Sequence, residues 1–119
     1  KVIIMGNAET GWYDVCAVSE LAPGTARVLH VDPPVAVFLV DDEYFATDDT
    51  CTHAQSSLAD GFIEGQTVEC EFHFAKFCLR TGAALTPPAV VPLAIYPVEV
   101  SNGMVRVDLS GRAASTRLA

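Results

Sequence analysis

Short apolar runs separated by turn-forming residues dominate the first fifty positions of the chain. The segments 12–16, 25–31, 35–40 and 43–47 are rich in β-branched and aromatic residues and are bounded by Gly, Pro or Asp. Segment 35–40 is continuously apolar, which predicts a central strand. Because no segment shows a long helical period, the pattern predicts an all-β domain.

The second half of the chain is predicted to hold two hairpins. One joins strand 67–69 to strand 76–79, and the other joins 95–100 to 104–107 through an Asn102-Gly103 turn. From Ser110 onward the sequence is rich in Ser, Ala, Gly and Arg and is predicted to be a frayed tail. The 119 residues suit one domain, 1–119, in which 48–85 form an insertion and about 110–119 a flexible tail.

Two short loops carry candidate metal ligands. They are Cys51-Thr52-His53 and Cys70-Glu71-Phe72-His73, and sixteen residues separate His53 from Cys70. A zinc site could use these four side chains, although zinc loops more often pair like with like. Mixed Cys and His pairs better suit an asymmetric [2Fe–2S] cluster, in which both cysteines bind one iron and both histidines the other.

The C-x-H and C-x2-H loops resemble those of the Rieske family. Four further motifs resemble the small ferredoxins of bacterial aromatic-ring-hydroxylating dioxygenases of the biphenyl, naphthalene and carbazole types. They are Leu58-x-Asp60-Gly61, Lys76-Phe77-Cys78-x-Arg80-Thr81-Gly82, Pro87-Pro88 and Tyr96-Pro97-Val98.

This resemblance implies a Rieske-type antiparallel β-sandwich with a smaller inserted cluster-binding subdomain. It implies one [2Fe–2S] Rieske cluster held by Cys51, His53, Cys70 and His73, with a third loop at Thr86-Pro87-Pro88 lying over it. Electrons would pass from a flavin-dependent NAD(P)H reductase, through this chain, to the terminal oxygenase. The chain itself would be a carrier without catalytic residues.

Other assignments remain open at this stage. A Rieske-like subunit of another redox system, such as the small subunit of nitrite reductase, would share the ligand loops. A zinc-binding structural module could use the same four side chains.

The chain departs from its apparent relatives at a few positions near the ligands. Ala54 and Ala75 stand where the family often has Gly. High-potential Rieske proteins have a disulfide between the positions of Ser56 and Phe72, and hydroxyl donors at those of Ala75 and Phe77. The absence of these features predicts a potential near the bottom of the Rieske range.

Charge is distributed unevenly along the chain. The formal net charge is −8, and no Lys or Arg occurs between Arg27 and Lys76. The acidic residues in that gap include Asp41, Asp42, Glu43, Asp48, Asp49, Asp60, Glu64, Glu69 and Glu71. Such a surface predicts docking to basic partner proteins and disfavours nucleic acid and anionic membranes.

The remaining features concern the other cysteines and location. Cys16 and Cys78 are predicted to be small buried residues in strands, without a disulfide between them. No apolar run is long enough to cross a bilayer, and the apolar start at 1–5 is too short for a signal peptide. These features predict a cytoplasmic protein, which we expect to be monomeric.

Overall fold

The computed structural model describes residues 11–52, 56–71, 75–86 and 91–112, and the backbone of 117–118. Two 3₁₀ turns, Val18–Glu20 and Leu58–Asp60, are the helical segments of this part of the chain. The strands in it are β1 (Trp12–Ala17), β2 (Thr25–Leu29), β3 (Val31–Asp32), β4 (Val35–Val40), β5 (Glu43–Asp48), β6 (Phe62–Glu64), β7 (Thr67–Glu69), β8 (Lys76–Cys78), β9 (Ile95–Tyr96), β10 (Val98–Ser101), β11 (Met104–Asp108) and β12 (Arg117–Leu118).

Two antiparallel sheets form the scaffold. The first has the strand order β1-β11-β10, and the second has the order β2-β4-β5-β9. Tight turns at Asp41-Asp42 and Asn102-Gly103 close the β4–β5 and β10–β11 hairpins, and all four of these residues have a positive φ. The β10–β11 hairpin was predicted from its Asn-Gly turn signal, and the all-β class is confirmed.

Strand β4 separates two cores, which explains its continuous apolar sequence. Successive side chains of a strand point to opposite faces, and all six side chains of β4 are buried. The sandwich core, between the first two sheets, takes the odd-numbered side chains of β4 and includes Val35, Val37, Leu39, Tyr13, Cys16, Val105 and Val107. The loop core, on the opposite face, takes the even-numbered side chains and includes Ala36, Phe38, Val40, Leu58, Val68, Phe77, Cys51 and Cys70.

A third antiparallel sheet, β6-β7-β8, lies within the predicted insertion 48–85. The sequence predicted β7 and β8 and missed β6. This strand is only three residues long and lies between Gly61 and Gly65, which mark turns. It pairs with β7 from Phe62 opposite Glu69 to Glu64 opposite Thr67.

The predicted strand 95–100 is divided at Pro97. Strand β9 pairs with β5 of the second sheet, whereas β10 pairs with β11 of the first. Proline has no N–H to donate to a ladder, so the chain changes sheets at this position. The Pro97 carbonyl accepts a hydrogen bond from the Asp108 amide at 3.0 Å.

The predicted strand 25–31 is likewise interrupted, at His30. Strand β2 ends at Leu29, His30 is exposed, and Val31–Asp32 form the separate strand β3.

The C-terminal segment differs from the frayed tail expected after Ser110. Strand β12 pairs with β3, with Arg117 opposite Asp32 and Leu118 opposite Val31. The Arg112 side chain is only 7% exposed and bonds to Asp48. The tail prediction is therefore wrong for these residues. No helix among the described residues has the length and apolar character needed to cross a membrane.

Candidate metal centre

Each candidate cysteine begins a loop that closes on its own backbone. The Cys51 amide donates to the Ser56 carbonyl at 2.9 Å, and the Cys70 amide donates to the Ala75 carbonyl at 2.7 Å. Both bonds span five positions, so the two loops have the same length. His53 and His73 belong to the segments 53–55 and 72–74, which lie outside the described residues.

Both cysteines are buried in the loop core. Cys51 is 3% exposed and Cys70 is fully buried, and both pack with residues such as Leu58 and Phe77. Strand β5 leads towards Cys51, and β7 ends directly before Cys70. Two buried cysteines, each at the start of a loop of the same length, could provide the two soft sulfur ligands of one iron in an asymmetric [2Fe–2S] cluster.

Ser56 connects the two loops. Its carbonyl accepts the bond from Cys51, and its hydroxyl oxygen lies 2.9 Å from Cys70 Sγ. Ser56 is 6% exposed, so this contact lies inside the protein. The end of the first loop is therefore in direct contact with the cysteine of the second.

A buried carboxylate braces the chain around the first loop. Asp49 is 5% exposed and accepts hydrogen bonds from Ser57 Oγ at 2.8 Å and from the Ala59 amide at 3.0 Å. Its carbonyl accepts a third from the Leu58 amide at 2.6 Å. Asp49 was predicted to belong to an acidic docking surface. That assignment is wrong, because the Asp49 carboxylate is buried and accepts hydrogen bonds from the chain that follows the first loop.

The third loop is held at both ends. Thr86 Oγ1 accepts from the Lys76 amide of β8 at 3.0 Å, and Thr52 Oγ1 of the first cysteine loop donates to the Val91 carbonyl at 2.8 Å. Pro87 and Pro88 lie outside the described residues. The position of this loop over a cluster therefore remains a prediction, although one end contacts the first cysteine loop and the other contacts β8, which follows the second.

Two of the positions at which this chain differs from its apparent relatives are among the described residues. Ala75 and Phe77 are fully buried, and neither side chain has a hydrogen-bond donor. Ala75 is not among the described residues with positive φ, so alanine in place of glycine causes no backbone strain at this position. Ala54 and Phe72 lie outside the described residues.

Several acidic side chains form ion pairs within the protein. Asp48 pairs with Arg112 at 2.7 Å, Glu43 with Arg80 at 2.7 Å, and Glu69 with Lys76 at 3.8 Å. Within the stretch 41–71, five acidic residues are exposed and have no ion pair within the described part of the chain, and we call them the open acidic set. They are Asp41, Asp42, Asp60, Glu64 and Glu71.

The other two cysteines have different environments. Cys16 is 5% exposed, and its burial raises the pKa of its thiol. Cys78 is half-buried, and a hydrogen bond with the Thr81 side chain lowers its pKa. Neither forms a disulfide, as predicted. Burial is confirmed for Cys16 and is incomplete for Cys78.

The sequence did not reveal the residues that join the loops. In the sequence, Ser56 stands only where high-potential Rieske proteins have a bridging cysteine, and Thr52 only between two candidate ligands. Their partners are distant in sequence: Cys70 is 14 positions from Ser56, and Val91 is 39 from Thr52. A single sequence carries no spacing signal for such contacts.

Comparison with known proteins gives matches over most of the chain. The model of the Rieske [2Fe-2S] domain family matches residues 11–97. The 3-phenylpropionate/cinnamic acid dioxygenase ferredoxin subunit of Photorhabdus laumondii is 47% identical over 97 residues, covering 81% of this chain and 92% of the relative. The biphenyl dioxygenase ferredoxin subunit of a Pseudomonas species is 48% identical over 100 residues, covering 82% and 92%.

Solved structures agree with these matches. A structure described as the complex of reduced oxygenase and oxidized ferredoxin in carbazole 1,9a-dioxygenase contains a similar chain, with a TM-score of 0.79 and 42% identity. The alignment covers 83% of this chain and 94% of that one. The Sphingomonas yanoikuyae B1 ferredoxin matches with a TM-score of 0.76 and 37% identity, covering 80% and 95%.

Proposed function

The chain belongs to the Rieske [2Fe-2S] domain family, and from this premise we propose that it carries electrons in an aromatic-ring dioxygenase system. The predicted resemblance, the antiparallel all-β fold and the cluster type are confirmed by the family match and by the dioxygenase ferredoxins that resemble this chain. A Rieske cluster, when bound, accepts and releases single electrons. The relatives are named as ferredoxin subunits, which supports a carrier role rather than a catalytic one.

Cys51 and Cys70 are the proposed ligands of the inner iron, and His53 and His73 those of the outer iron. The observation that carries this assignment is the pair of matched loops, each opened by a buried cysteine and joined through Ser56. Each loop also contains one of the two histidines. The segment 48–85 is the proposed cluster-binding subdomain, because it contains these loops and the β6-β7-β8 sheet.

The proposed electron acceptor is the terminal oxygenase, and the proposed donor is a flavoprotein reductase that oxidises NAD(P)H. The acceptor is supported by the similar ferredoxin chain found in a complex with an oxygenase. The open acidic set supports docking to basic protein surfaces rather than to nucleic acid or anionic membranes. We propose that the protein works as a cytoplasmic monomer.

Metal analysis of cysteine variants tests the ligand assignment. Cys51→Ala and Cys70→Ala should lose iron, sulfide and the visible spectrum, because each removes half of the inner iron's protein ligands. Cys78→Ala is the matched control, since this half-buried cysteine lies outside the loop core, and it should retain all three. Iron retained in either ligand variant, or a colourless wild-type protein containing zinc, would reject the assignment.

A kinetic experiment tests the direction of electron flow. The wild-type protein should be reduced by NADH in the presence of a catalytic amount of a dioxygenase ferredoxin reductase. When mixed with an oxidised Rieske oxygenase, it should then be reoxidised. Failure of either half-reaction with partners from several dioxygenase systems would contradict the corresponding partner.

A further inference from the structure

The contact between Ser56 and Cys70 suggests a function beyond joining the loops. The hydroxyl oxygen lies 2.9 Å from Cys70 Sγ, and both side chains are buried. In the free thiol, either atom could donate the proton of this hydrogen bond. A cysteine that ligates iron is a thiolate without a proton, so in the loaded protein only the Ser56 hydroxyl can donate.

We propose that Ser56 tunes the cluster by donating a hydrogen bond to the Cys70 thiolate. This inference rests on the proposed assignment of Cys70 as an iron ligand. A donor withdraws electron density from the sulfur and stabilises the more electron-rich reduced state, so it raises the midpoint potential. Ser56 is thus a positioning and tuning residue, and it does not bind iron.

The local structure holds the hydroxyl in place. The Ser56 backbone is fixed by the bond from the Cys51 amide, and the next residue, Ser57, is fixed by its bond to Asp49. A serine side chain has few rotamers to lose, and burial excludes water that would compete for the hydroxyl. The sulfur is therefore the acceptor that the fold supplies to this group.

Ser56 offers a hydroxyl near Cys70, whereas Ala75 and Phe77 offer none. Ala75 and Phe77, on the chain that follows the second loop, have no hydroxyl to offer. The Ser56 hydroxyl reaches Cys70 Sγ from the first loop. Among the described residues it is the side-chain donor at this sulfur, so its removal should change the midpoint potential measurably.

Protein-film voltammetry of Ser56→Ala and Ser101→Ala tests the proposal. The first variant replaces the donor by a methyl group and should lower the midpoint potential. The second removes a hydroxyl at the end of β10, in the first sheet and away from both cysteine loops, so it should leave the potential unchanged. An unchanged potential in Ser56→Ala, with an intact Rieske spectrum, would overturn the proposal.

Resonance Raman spectroscopy provides a second test, which does not depend on the midpoint potential. A hydrogen bond to the thiolate should make an iron–cysteine stretching band shift between H₂O and D₂O, and Ser56→Thr, which retains the hydroxyl, should keep that shift. Ser56→Ala should lose it, whereas an equal shift in Ser56→Ala would refute the hydrogen bond. A wild-type protein without a Rieske spectrum would instead reject the ligand assignment, so the two failures can be distinguished.

Discussion

At the scale of single residues, the side chains around Cys70 determine how strongly the protein favours the reduced state. Ala75 and Phe77 are fully buried beside the second loop and offer no donor to sulfur. The Ser56 hydroxyl compensates only in part, because it is one donor where high-potential Rieske proteins are expected to have two. We therefore expect a midpoint of about −150 mV rather than about +300 mV.

Voltammetry of the double variant Ala75→Ser with Phe77→Tyr checks this cause. The added hydroxyls should raise the midpoint if they reach the sulfurs. Ala75→Val, which adds volume at the same position without a donor, is the control and should not raise it. A wild-type midpoint above about +100 mV, in the upper half of that range, would contradict the low-potential account.

Gly61 shows how closely the backbone packs beside the first loop. A Cβ at this position would clash with the Glu69 carbonyl oxygen, which belongs to β7 just before Cys70. We expect Gly61→Ala to lower the free energy of unfolding by about 1–3 kcal/mol, because backbone must move to admit the methyl group. Gly111→Ala, whose Cβ would meet no atom within 4 Å, should change it by less than about 0.5 kcal/mol. Urea denaturation of the two variants makes the comparison, and equal effects would contradict the close packing.

At the scale of elements, Arg112 fastens the segment after β11 to the second sheet and to the turn between β3 and β4. It donates to Asp48 at the end of β5 at 2.7 Å, to Tyr96 Oη of β9 at 2.9 Å, and to the Pro33 carbonyl between β3 and β4 at 2.7 Å. Its guanidinium also lies 5.0 Å from the centre of the Tyr96 ring. These four contacts at one buried side chain hold Arg112 against the second sheet.

Removal of this side chain should be costly. Arg112→Ala leaves the Asp48 carboxylate without its ion pair, and we expect a loss of about 2 kcal/mol in the free energy of unfolding. Arg27→Ala breaks an exposed pair with Glu20, 3.8 Å apart, and should cost less than about 1 kcal/mol. Chemical denaturation measures both losses. A loss for Arg112→Ala no larger than that for Arg27→Ala would mean that the contacts of Arg112 do not stabilise the protein.

The same contacts give stability a dependence on alkaline pH. Burial and the hydrogen bond to Asp48 raise the pKa of Tyr96 from 10.0 to about 12. The folded protein therefore retains a proton that the unfolded chain releases, so this contribution is complete below pH 10 and is lost as the pH rises through about 12. Unfolding measured across this range should show a steeper loss in the wild type than in Tyr96→Phe, and parallel curves would contradict the shift.

The sequence predicted individual strands and hairpins better than it predicted the contacts between distant elements. Segment 35–40 predicted the central strand because a continuous apolar run suits a strand with a core on each face. The Asn102-Gly103 signal predicted its hairpin because both residues tolerate a positive φ. The change of sheet at Pro97, the pairing of β12 and the burial of Asp49 depend on distant partners, and local patterns do not encode these.

The candidate site shows the same division. Ligand types and spacing predicted the two loops, since metal preference is a local property of Cys and His side chains. The bond from Ser56 to Cys70 and the attachment of Thr52 to Val91 arise only when the loops are folded together. The motif alone could not predict these contacts, although they hold the loops together and, in our proposal, adjust the midpoint potential.

At the scale of the whole molecule, the open acidic set should affect the rate of partner association. Opposite charges attract partners over distances that salt screens, so the rate of electron transfer at limiting protein concentration should fall as ionic strength rises. Glu71→Gln, next to Cys70, should reduce both the rate and its dependence on salt. Glu99→Gln, on β10 of the first sheet, is the control and should change neither as much.

Stopped-flow measurements at several salt concentrations check this prediction. A rate that is flat or rises with salt would contradict charge steering. Recognition would then depend on apolar contact around the two ligand loops.

The central claim is that one cysteine and one histidine from each loop hold an asymmetric cluster, and nitrogen hyperfine spectroscopy of the reduced protein tests it most directly. The account predicts two histidine nitrogens coupled to the unpaired electron, and loss of the Rieske signal in His53→Ala and in His73→Ala. His30→Ala should leave both couplings intact, because this exposed histidine lies outside the loops. A reduced cluster without coupled nitrogens, or an unchanged signal in either ligand variant, would contradict the account.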